Sequence, residues 1–322
     1  MIFEKQIVDV FKKKMYTRCD DTGKAFYFSV DDFDGLQREP YPFTASAGHT
    51  LQGYVYHYAD PIPGRLIIFD HGFGGGHRSY LREIEMLCRH GFLVLAYDHT
   101  GCMESGGETP NGLAQSLCDL NDCLNAVKSD RTFAGDTISV VGHSWGAFST
   151  LNICALHPEI AHIVAMSGFV SVPLMIETFF TGILSPYRKA VLELEMNSNP
   201  KFATFNAVES LSGYTGKALL IYSDNDQMTR KTPHFDTLQR ELSRKENIRL
   251  LLVSEKGHNP NYTADAVAYL GAYLKKLEKL DKKKLLETPA QKKEFLASFD
   301  WHRMTEQDDA VWQEIFRTLD DF

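Results

Sequence analysis

A serine flanked by glycines lies between a predicted strand and a predicted helix, in the run Gly142-His143-Ser144-Trp145-Gly146. The β-branched apolar run 137–141 indicates the strand, and apolar residues at helical spacing over 147–156 indicate the helix. A strand, a G-x-S-x-G turn and a helix in this order are typical of a nucleophile elbow, which raises the serine hydroxyl above a sheet at a helix N-terminus. We therefore predict that Ser144 is a nucleophile. A serine in an ordinary turn between strand and helix is the alternative.

Residues that would activate this serine occur further along the chain. A serine hydroxyl needs a base, and the base needs a carboxylate that orients it. In proteins with such an elbow both follow the serine, at the ends of later strands. The predicted strand 218–222 is followed by Asp224 and Asp226, and the predicted strand 248–253 is followed by His258. We predict His258 as the base and one of the two aspartates as its partner; an aspartate that only closes a turn is the alternative for either.

With these features the chain resembles the α/β-hydrolase superfamily over about residues 50–278. The family's usual spacing after the acid strand points to Asp226 and leaves Asp224 as the second choice. The resemblance implies a serine hydrolase of the carboxylesterase or serine aminopeptidase kind. It also implies a catalytic triad of Ser144, Asp226 and His258.

A glycine-rich loop, His71-Gly72-Phe73-Gly74-Gly75-Gly76, follows the predicted strand 66–70. It looks like the family's His-Gly oxyanion loop. The resemblance implies that the backbone N–H groups of Phe73 and Trp145 form the oxyanion hole, and that His71 braces the loop. A phosphate-binding loop is the alternative, but it requires Lys-Ser or Lys-Thr after the glycines, and His77-Arg78-Ser79 follows here.

The loop 98–107 is similar to the family's Asp-x-x-Gly-x-Gly-x-Ser-x-Gly loop, with one departure. Met103 stands where the family usually has its second glycine, so we expect the backbone to differ locally. We expect Asp98 to accept hydrogen bonds from backbone N–H groups, and not to be the catalytic acid.

The segment 169–211 is long for a connection between strands, and in this superfamily helices inserted there form a cap over the serine. Its apolar and aromatic residues predict either a wall for the ligand or the core of the cap itself. The aromatic candidates for substrate contact are Phe169, Phe179, Phe180 and Tyr187. Trp145, beside the nucleophile, is a candidate for the floor of the pocket.

Composition limits the partners. The chain has 322 residues, 43% of them hydrophobic, and its 34 basic and 42 acidic residues give a net charge of −8. That length allows a large core, and dispersed basic residues argue against nucleic acid as a partner. No stretch approaches the roughly 20 apolar residues of a membrane span, and the N-terminus lacks the apolar run of a signal peptide. The six cysteines show no pairing motif, so we predict reduced thiols in a cytoplasmic protein without a metal or cofactor.

Strands and helices alternate along the chain, as a doubly wound, mostly parallel α/β sheet requires. Helices are predicted at about 79–90, 113–129, 232–245 and 264–279, and residues 25–60 are predicted to form antiparallel strands. The predicted organisation is an N-terminal helical segment (1–24), a core of the α/β-hydrolase fold that includes the cap (25–278), and a helical C-terminal extension (279–322).

The C-terminal extension contains two distinct parts. Residues 275–295 are rich in lysine and glutamate and are interpreted as a solvated helix or a tether. Thr305 is predicted to cap a helix whose apolar residues recur at helical spacing, namely Val311, Trp312, Ile315, Phe316 and Leu319. These side chains must be buried, either against the body of the protein or in a homodimer contact through this helix.

The predicted function is hydrolysis of a carboxylic ester with a small to medium acyl or aryl group. The alternatives are an aminopeptidase-like amide hydrolase and a non-catalytic binding protein of the same fold. An aminopeptidase must bind the substrate ammonium group, and Glu177, Glu193 and Glu195 in the predicted cap are the candidates for that role. A C–C bond hydrolase or an acyltransferase would use the same machinery.

Overall fold

The computed structural model describes residues 3–321. Its strands are β1 (Gln37–Pro40), β2 (Phe43–Thr44), β3 (Thr50–Leu51), β4 (Gly53–His57), β5 (Arg65–Asp70), β6 (Leu93–Tyr97), β7 (Thr137–His143), β8 (His162–Met166), β9 (Lys217–Ser223) and β10 (Ile248–Val253). Eight of them form one sheet in the order β1-β4-β6-β5-β7-β8-β9-β10. The pairs from β6 to β10 are parallel, and β1 and β4 add an antiparallel edge. The predicted doubly wound, mostly parallel sheet is confirmed.

The helices lie between and after these strands. They are α1 (Glu4–Met15), α2 (Leu81–Arg89), α3 (Gln115–Ser129), α4 (Trp145–Ile153), α5 (Val172–Phe179), α6 (Arg188–Ser198), α7 (Ala207–Ser212), α8 (Asp236–Leu242), α9 (Ala264–Lys282), α10 (Pro289–Ala297), α11 (Trp301–Met304) and α12 (Asp309–Leu319). The helices α5, α6 and α7 occupy the long connection between β8 and β9. None of the helices within residues 3–321 combines the length and the apolar character needed to cross a membrane.

The prediction of antiparallel strands over residues 25–60 was wrong in its first part. The residues before β1 contain a short 3-10 turn, Val30–Asp32, because the Asp32 carboxylate accepts hydrogen bonds from the N–H and the hydroxyl of Ser29. The strands β2 and β3 pair with each other in a separate sheet.

The helix predicted over 232–245 is also shorter than expected. The α-helix begins only at Asp236, and Thr232 has non-helical backbone angles. Thr232 precedes Pro233, and a residue before proline is disfavoured in the α conformation.

Helix α12 packs on the body of the protein. Its residues Val311, Trp312, Ile315 and Leu319 are buried together with β5, β8 and β9 and with α2 on one face of the sheet. Four of the five apolar residues that suggested a homodimer contact are therefore covered within one chain, and the fifth, Phe316, is half-buried and stacks on His90. Thr305 does not cap this helix as predicted, because the Asp308 carboxylate accepts from the first free N–H groups of α12.

Residues 275–295 form ordered structure. Helix α9 runs to Lys282, and α10 begins after Thr288, whose hydroxyl accepts from the Gln291 N–H while the Gln291 side chain accepts from the Thr288 N–H. This capping box fixes the start of α10. Aromatic and aliphatic residues of α9, α10, α11 and the connection between α9 and α10 form their own small core, including Tyr273, Leu286, Phe295 and Met304.

Candidate active site

Ser144 lies in a sharp turn between β7 and α4, with φ 55° and ψ −111°. Both flanking glycines are required by space. A Cβ on Gly146 would lie 2.1 Å from the Asp70 carbonyl oxygen, and one on Gly142 would lie 2.2 Å from the Thr150 hydroxyl. The strained backbone is held by β5 and α4, and it presents the serine hydroxyl at the carboxyl end of the sheet.

The structure brings Ser144, His258 and Asp226 together. His258 Nε2 lies 2.8 Å from the Ser144 Oγ, and His258 Nδ1 lies 2.8 Å from Asp226 Oδ2. Since a carboxylate can only accept, the proton of His258 resides on Nδ1, and Nε2 is free to accept from the serine. Asp226 follows β9, and His258 follows β10, so adjacent parallel strands place the two side chains at one edge.

Asp226 is held in the ionised form. Its side chain is buried, which raises its pKa, but hydrogen bonds from His258, from the Thr229 hydroxyl and from the Met228 N–H outweigh this effect and lower the pKa to about 2. Asp224 is exposed, and its Oδ1 accepts from the Glu255 N–H at 2.9 Å. Of the two aspartates that sequence analysis left open, Asp226 is the one that contacts His258.

Phe73 and Trp145 lie side by side at the serine, with ring centroids 5.1 Å apart. Trp145 is the first residue of α4, so its N–H is among those without a partner inside the helix. The Phe73 N–H belongs to the same peptide group as the Gly72 carbonyl, which accepts from His71 Nδ1 at 2.8 Å. Because the peptide group is planar, this bond fixes the direction of the Phe73 N–H.

His71 is neutral, and a buried ion pair lies behind it. Burial lowers the pKa of His71 to about 3, and its Nε2 accepts from the His99 N–H at 3.0 Å. His99 Nε2 lies 2.9 Å from Asp70 Oδ1, and His99 Nδ1 lies 3.2 Å from Asp119 Oδ2. Burial disfavours its charge, but the two carboxylates raise the pKa of His99 to about 10, so His99 is protonated.

A chain of hydrogen bonds that sequence analysis missed connects the oxyanion loop to the base. The Gly72 N–H donates to the Tyr80 hydroxyl at 3.1 Å, and that hydroxyl donates to His143 Nδ1 at 2.9 Å. His143 Nε2 in turn donates to the His258 carbonyl at 2.7 Å. Burial lowers the pKa of His143 to about 3, which keeps the imidazole neutral and able to accept at Nδ1.

In the loop 98–107, Asp98 accepts hydrogen bonds from backbone N–H groups, as predicted. The Asp98 carboxylate accepts from the N–H groups of His77 and Glu104, at 2.8 and 3.0 Å. Met103 adopts φ 42°, so this side chain occupies the left-handed conformation that a glycine adopts more readily.

The aromatic candidates for substrate contact differ in their exposure. Phe169 is 2% exposed and stacks on Phe148. The ring centroids of Phe180 and Phe11 lie 5.9 Å apart. Phe179 and Tyr187 are half-buried.

Trp145, the candidate for the floor of the pocket, is held from within the protein. Its side chain is buried, and its indole N–H donates to the Leu113 carbonyl at 2.7 Å, a partner that lies far away in the sequence.

The three cap glutamates have separate surroundings. Glu177 is exposed, and Glu193 is exposed beside Lys189 on the same helix. Glu195 is buried, and its carboxyl accepts from the Leu113 N–H at 2.7 Å and from the Tyr16 hydroxyl at 3.1 Å. Burial raises the pKa of Glu195 to about 7. Glu195 therefore joins α6 to Tyr16, the residue after α1, and to the chain before α3.

We expect Glu195→Gln to reduce the pH dependence of stability. Because the folded pKa is raised from 4.5 to about 7, the folded state binds more protons than the unfolded state between these values. The free energy of unfolding therefore falls as the pH rises through this window. A glutamine stays neutral and still accepts from Leu113. The difference between thermal midpoints measured at about pH 4.5 and about pH 8 should shrink in Glu195→Gln and persist in the exposed control Glu193→Gln; equal differences in both variants would contradict the assignment.

Residues 61–248, more than half of the chain, match the family described as serine aminopeptidase, S33. The esterase Pf2001 of Pyrococcus furiosus superposes with a TM-score of 0.60 at 19% identity, covering 81% of this chain and 98% of that one. The acetyl xylan esterase of Paenibacillus sp. R4 gives 0.55 at 17% identity, covering 80% and 88%. At such identities these likenesses show the fold alone.

Similarity to curated proteins extends over shorter stretches. The uncharacterized protein YqkD of Bacillus subtilis (strain 168) is 25% identical over 160 residues, which are 49% of this chain and 50% of that protein. The chain thus spans about half the length of this relative. The family match covers most of the sheet and includes the Ser144 elbow and Asp226. The chain therefore belongs to the family described as serine aminopeptidase, S33, within the α/β-hydrolase superfamily.

Proposed function

We propose that this protein hydrolyses a carboxylic ester with a small to medium acyl or aryl group through an acyl-enzyme intermediate. Ser144 is the nucleophile, His258 the general base and acid, and Asp226 the carboxylate that orients the base. The observation that carries this proposal is the pair of 2.8 Å contacts that His258 makes, one with each partner. The serine is thereby hydrogen-bonded to a base whose tautomer is already the productive one.

Acylation uses these contacts in sequence. The Ser144 Oγ bonds to the ester carbonyl carbon while its proton passes to His258 Nε2. The carbonyl oxygen becomes an oxyanion, which the N–H groups of Phe73 and Trp145 stabilise. The charged imidazole is stabilised by Asp226. As the carbon–oxygen bond to the leaving group breaks, His258 gives its proton to the departing alcohol oxygen.

Deacylation repeats these steps with water. His258 Nε2 takes a proton from a water molecule, whose oxygen bonds to the acyl carbon. The bond to the Ser144 Oγ then breaks, His258 returns the proton to that oxygen, and the carboxylic acid leaves. Two fixed backbone donors contribute to both steps, and the loss of one donor typically costs about 100- to 1000-fold in kcat.

The positions of the three glutamates in the predicted cap favour an ester substrate over a peptide with a free N-terminus. Recognition of an ammonium group requires carboxylates near the serine. Glu195 is engaged by Leu113 and Tyr16, and Glu177 and Glu193 lie on exposed surface. The Pyrococcus and Paenibacillus proteins of similar fold are esterases by name, so this fold is compatible with an ester substrate. The family description favours the amide, which is the second candidate.

Initial rates on a matched substrate panel test this proposal, with Ser144→Ala as the blank. The panel contains p-nitrophenyl esters from acetyl to long acyl chains, and aminoacyl naphthylamides with free and with blocked N-termini. Serine-dependent turnover concentrated on short or aromatic esters is the expected result. Turnover that favours free-amine amides would replace the ester by the aminopeptidase reaction. Absence of turnover, together with no fluorophosphonate adduct on Ser144 in the folded protein, would favour the binding protein.

We expect Tyr80→Phe to lower kcat on the preferred ester about tenfold with little change in KM. The substitution leaves the buried Gly72 N–H without an acceptor and His143 without a donor, a loss of the order of 1–3 kcal/mol. It thereby loosens both the oxyanion loop and the base. Tyr58→Phe is the matched control, because that hydroxyl donates to Glu85 away from the serine. Equal kcat values in the two variants would show that the Tyr80 hydrogen bonds do not act in the reaction.

A further inference from the structure

The C-terminal extension contacts the loop that carries His258. Residues 306–308 pair in antiparallel fashion with residues 261–263, which follow that histidine. Main-chain hydrogen bonds of 2.9 and 2.8 Å join the two segments, one in each direction. The chain just after the base is therefore tied to a segment that lies beyond the family match, which ends at residue 248.

Lys256 ties the same loop at its other end, two residues before His258. Its ammonium group donates to the Asp308 carboxylate at 2.6 Å and to the Tyr262 carbonyl at 2.7 Å. The Lys256 side chain is 12% exposed and that of Asp308 is 24% exposed. This ion pair is largely shielded from solvent, so it is screened less than a surface pair.

Buried amide groups connect these contacts to the core. Gln307 Oε1 accepts from the Asn261 side-chain amide and from the Trp312 indole N–H, both at 2.8 Å. The Trp312 ring is part of the core under the sheet. The loop is thus anchored through Gln307 to a helix that cannot shift without disturbing that core.

The loop that carries His258, residues 255–263, is the base loop, and it turns sharply. Glu255 and Gly257, on either side of Lys256, both adopt positive φ, at 59° and 55°. Gly257 adopts this conformation freely, whereas at Glu255 the surrounding contacts must hold it.

We propose that Lys256, Gln307 and Asp308 are positioning residues for the reaction proposed above. They hold residues 256–263 so that the His258 imidazole stays within hydrogen-bond distance of Ser144 and Asp226. The C-terminal extension then has two roles, since α12 covers one face of the sheet and the segment before it restrains the base. This role rests on the proposed function, because it concerns the placement of the proposed base.

Lys256→Met tests this role directly. We expect kcat on the preferred ester to fall at least about tenfold with KM unchanged, since a 1 Å displacement of a reacting group can cost about 100-fold. Lys256→Arg keeps the charge and should recover most of the rate. Asp308→Asn should resemble Lys256→Met, because asparagine still caps α12 but no longer pairs with the ammonium group. The double variant Lys256→Met/Asp308→Asn should be no slower than either single variant.

Arg249→Met is the matched control. Arg249 on β10 pairs with Glu314 on the same helix α12, away from the base loop. If the extension contributes only stability, Arg249→Met and Lys256→Met will change Tm, each to its own extent, and leave kcat unchanged. If the wild-type enzyme is active and Lys256→Met has the same kcat, the positioning role is overturned.

Backbone hydrogen exchange over residues 256–263 gives a readout that needs no turnover. Faster exchange in Lys256→Met than in Arg249→Met is the expected result, because the restraint on the loop is lost. If the wild-type protein hydrolyses no ester but this difference is observed, the restraint on the loop stands and only the proposed reaction fails. Equal exchange in the two variants overturns the restraint whatever the activity.

Discussion

Replacement of His258 by alanine should lower kcat on the preferred ester by about 10⁵- to 10⁶-fold, the loss typical for removal of a triad base. His258 is the group within hydrogen-bond distance of the Ser144 Oγ that can take its proton. A second histidine, His143, lies beside His258. Its Nε2 donates to the His258 carbonyl, and its Nδ1 accepts from Tyr80. Both nitrogens of His143 are thus occupied, so His143 cannot replace the base.

The control for this variant is the double variant Ser144→Ala/His258→Ala. A base and nucleophile that act as one unit lose their effect together, so the double variant should be about as slow as either single variant. The remaining activity would come from the two backbone donors and from binding. Rates should be measured on protein with an unchanged thermal midpoint. A His258→Ala variant that keeps more than about a tenth of the wild-type kcat would contradict the assignment of the base.

The parts of the site that sequence analysis predicted are those fixed by local rules. A strand, a glycine-flanked serine and a helix require one backbone geometry, which the contacts of Gly142 and Gly146 now explain. Parallel strands end at the same edge of a sheet, so residues that follow β9 and β10 were expected to meet. Asp226 and His258 do so at 2.8 Å.

The parts that sequence analysis missed depend on contacts between distant segments. The hydrogen bonds of Tyr80, the residue before α2, join the oxyanion loop to His143 in the elbow, and His143 in turn bonds to the His258 carbonyl. No periodicity or motif in the sequence specifies that meeting. The buried position of Trp145 likewise depends on where the Leu113 carbonyl lies. Thr305 was chosen as a cap by residue type, but Asp308 is placed by its pairing with residue 261 and with Lys256.

The length of segment 169–211 predicted inserted helices, and α5, α6 and α7 lie there, but the orientation of their side chains was not predicted. Apolar residues predicted equally well a ligand wall and a cap core, because both require the same composition. Phe169 stacks on Phe148 of α4, and Phe180 lies against Phe11 of α1. These two rings are therefore used to attach the cap to the body. Glu195 contributes to the same attachment through Tyr16.

Asp226→Asn should lower kcat about 10⁴-fold, the loss typical when the orienting carboxylate of a triad becomes an amide. Asp226 Oδ1 accepts from the N–H groups of Met228 and Thr229, whereas Oδ2 faces His258 Nδ1. An asparagine must keep its carbonyl oxygen toward those N–H groups, so its NH₂ group faces His258. His258 Nδ1 must then accept, its proton moves to Nε2, and Nε2 can no longer take the proton of Ser144.

Asp224→Asn is the matched control for this substitution. Asp224 is exposed, and its contact with the Glu255 N–H is one that an amide oxygen can also make. We expect its kcat to stay within about twofold of wild type, as for most substitutions on exposed surface. A large loss in Asp224→Asn, or an Asp226→Asn variant within about tenfold of wild type, would assign the orienting role to the other aspartate or to neither. Because the pKa of Asp226 is held at about 2, protonation of this carboxylate will not reduce the difference between the two variants at any pH well above that value.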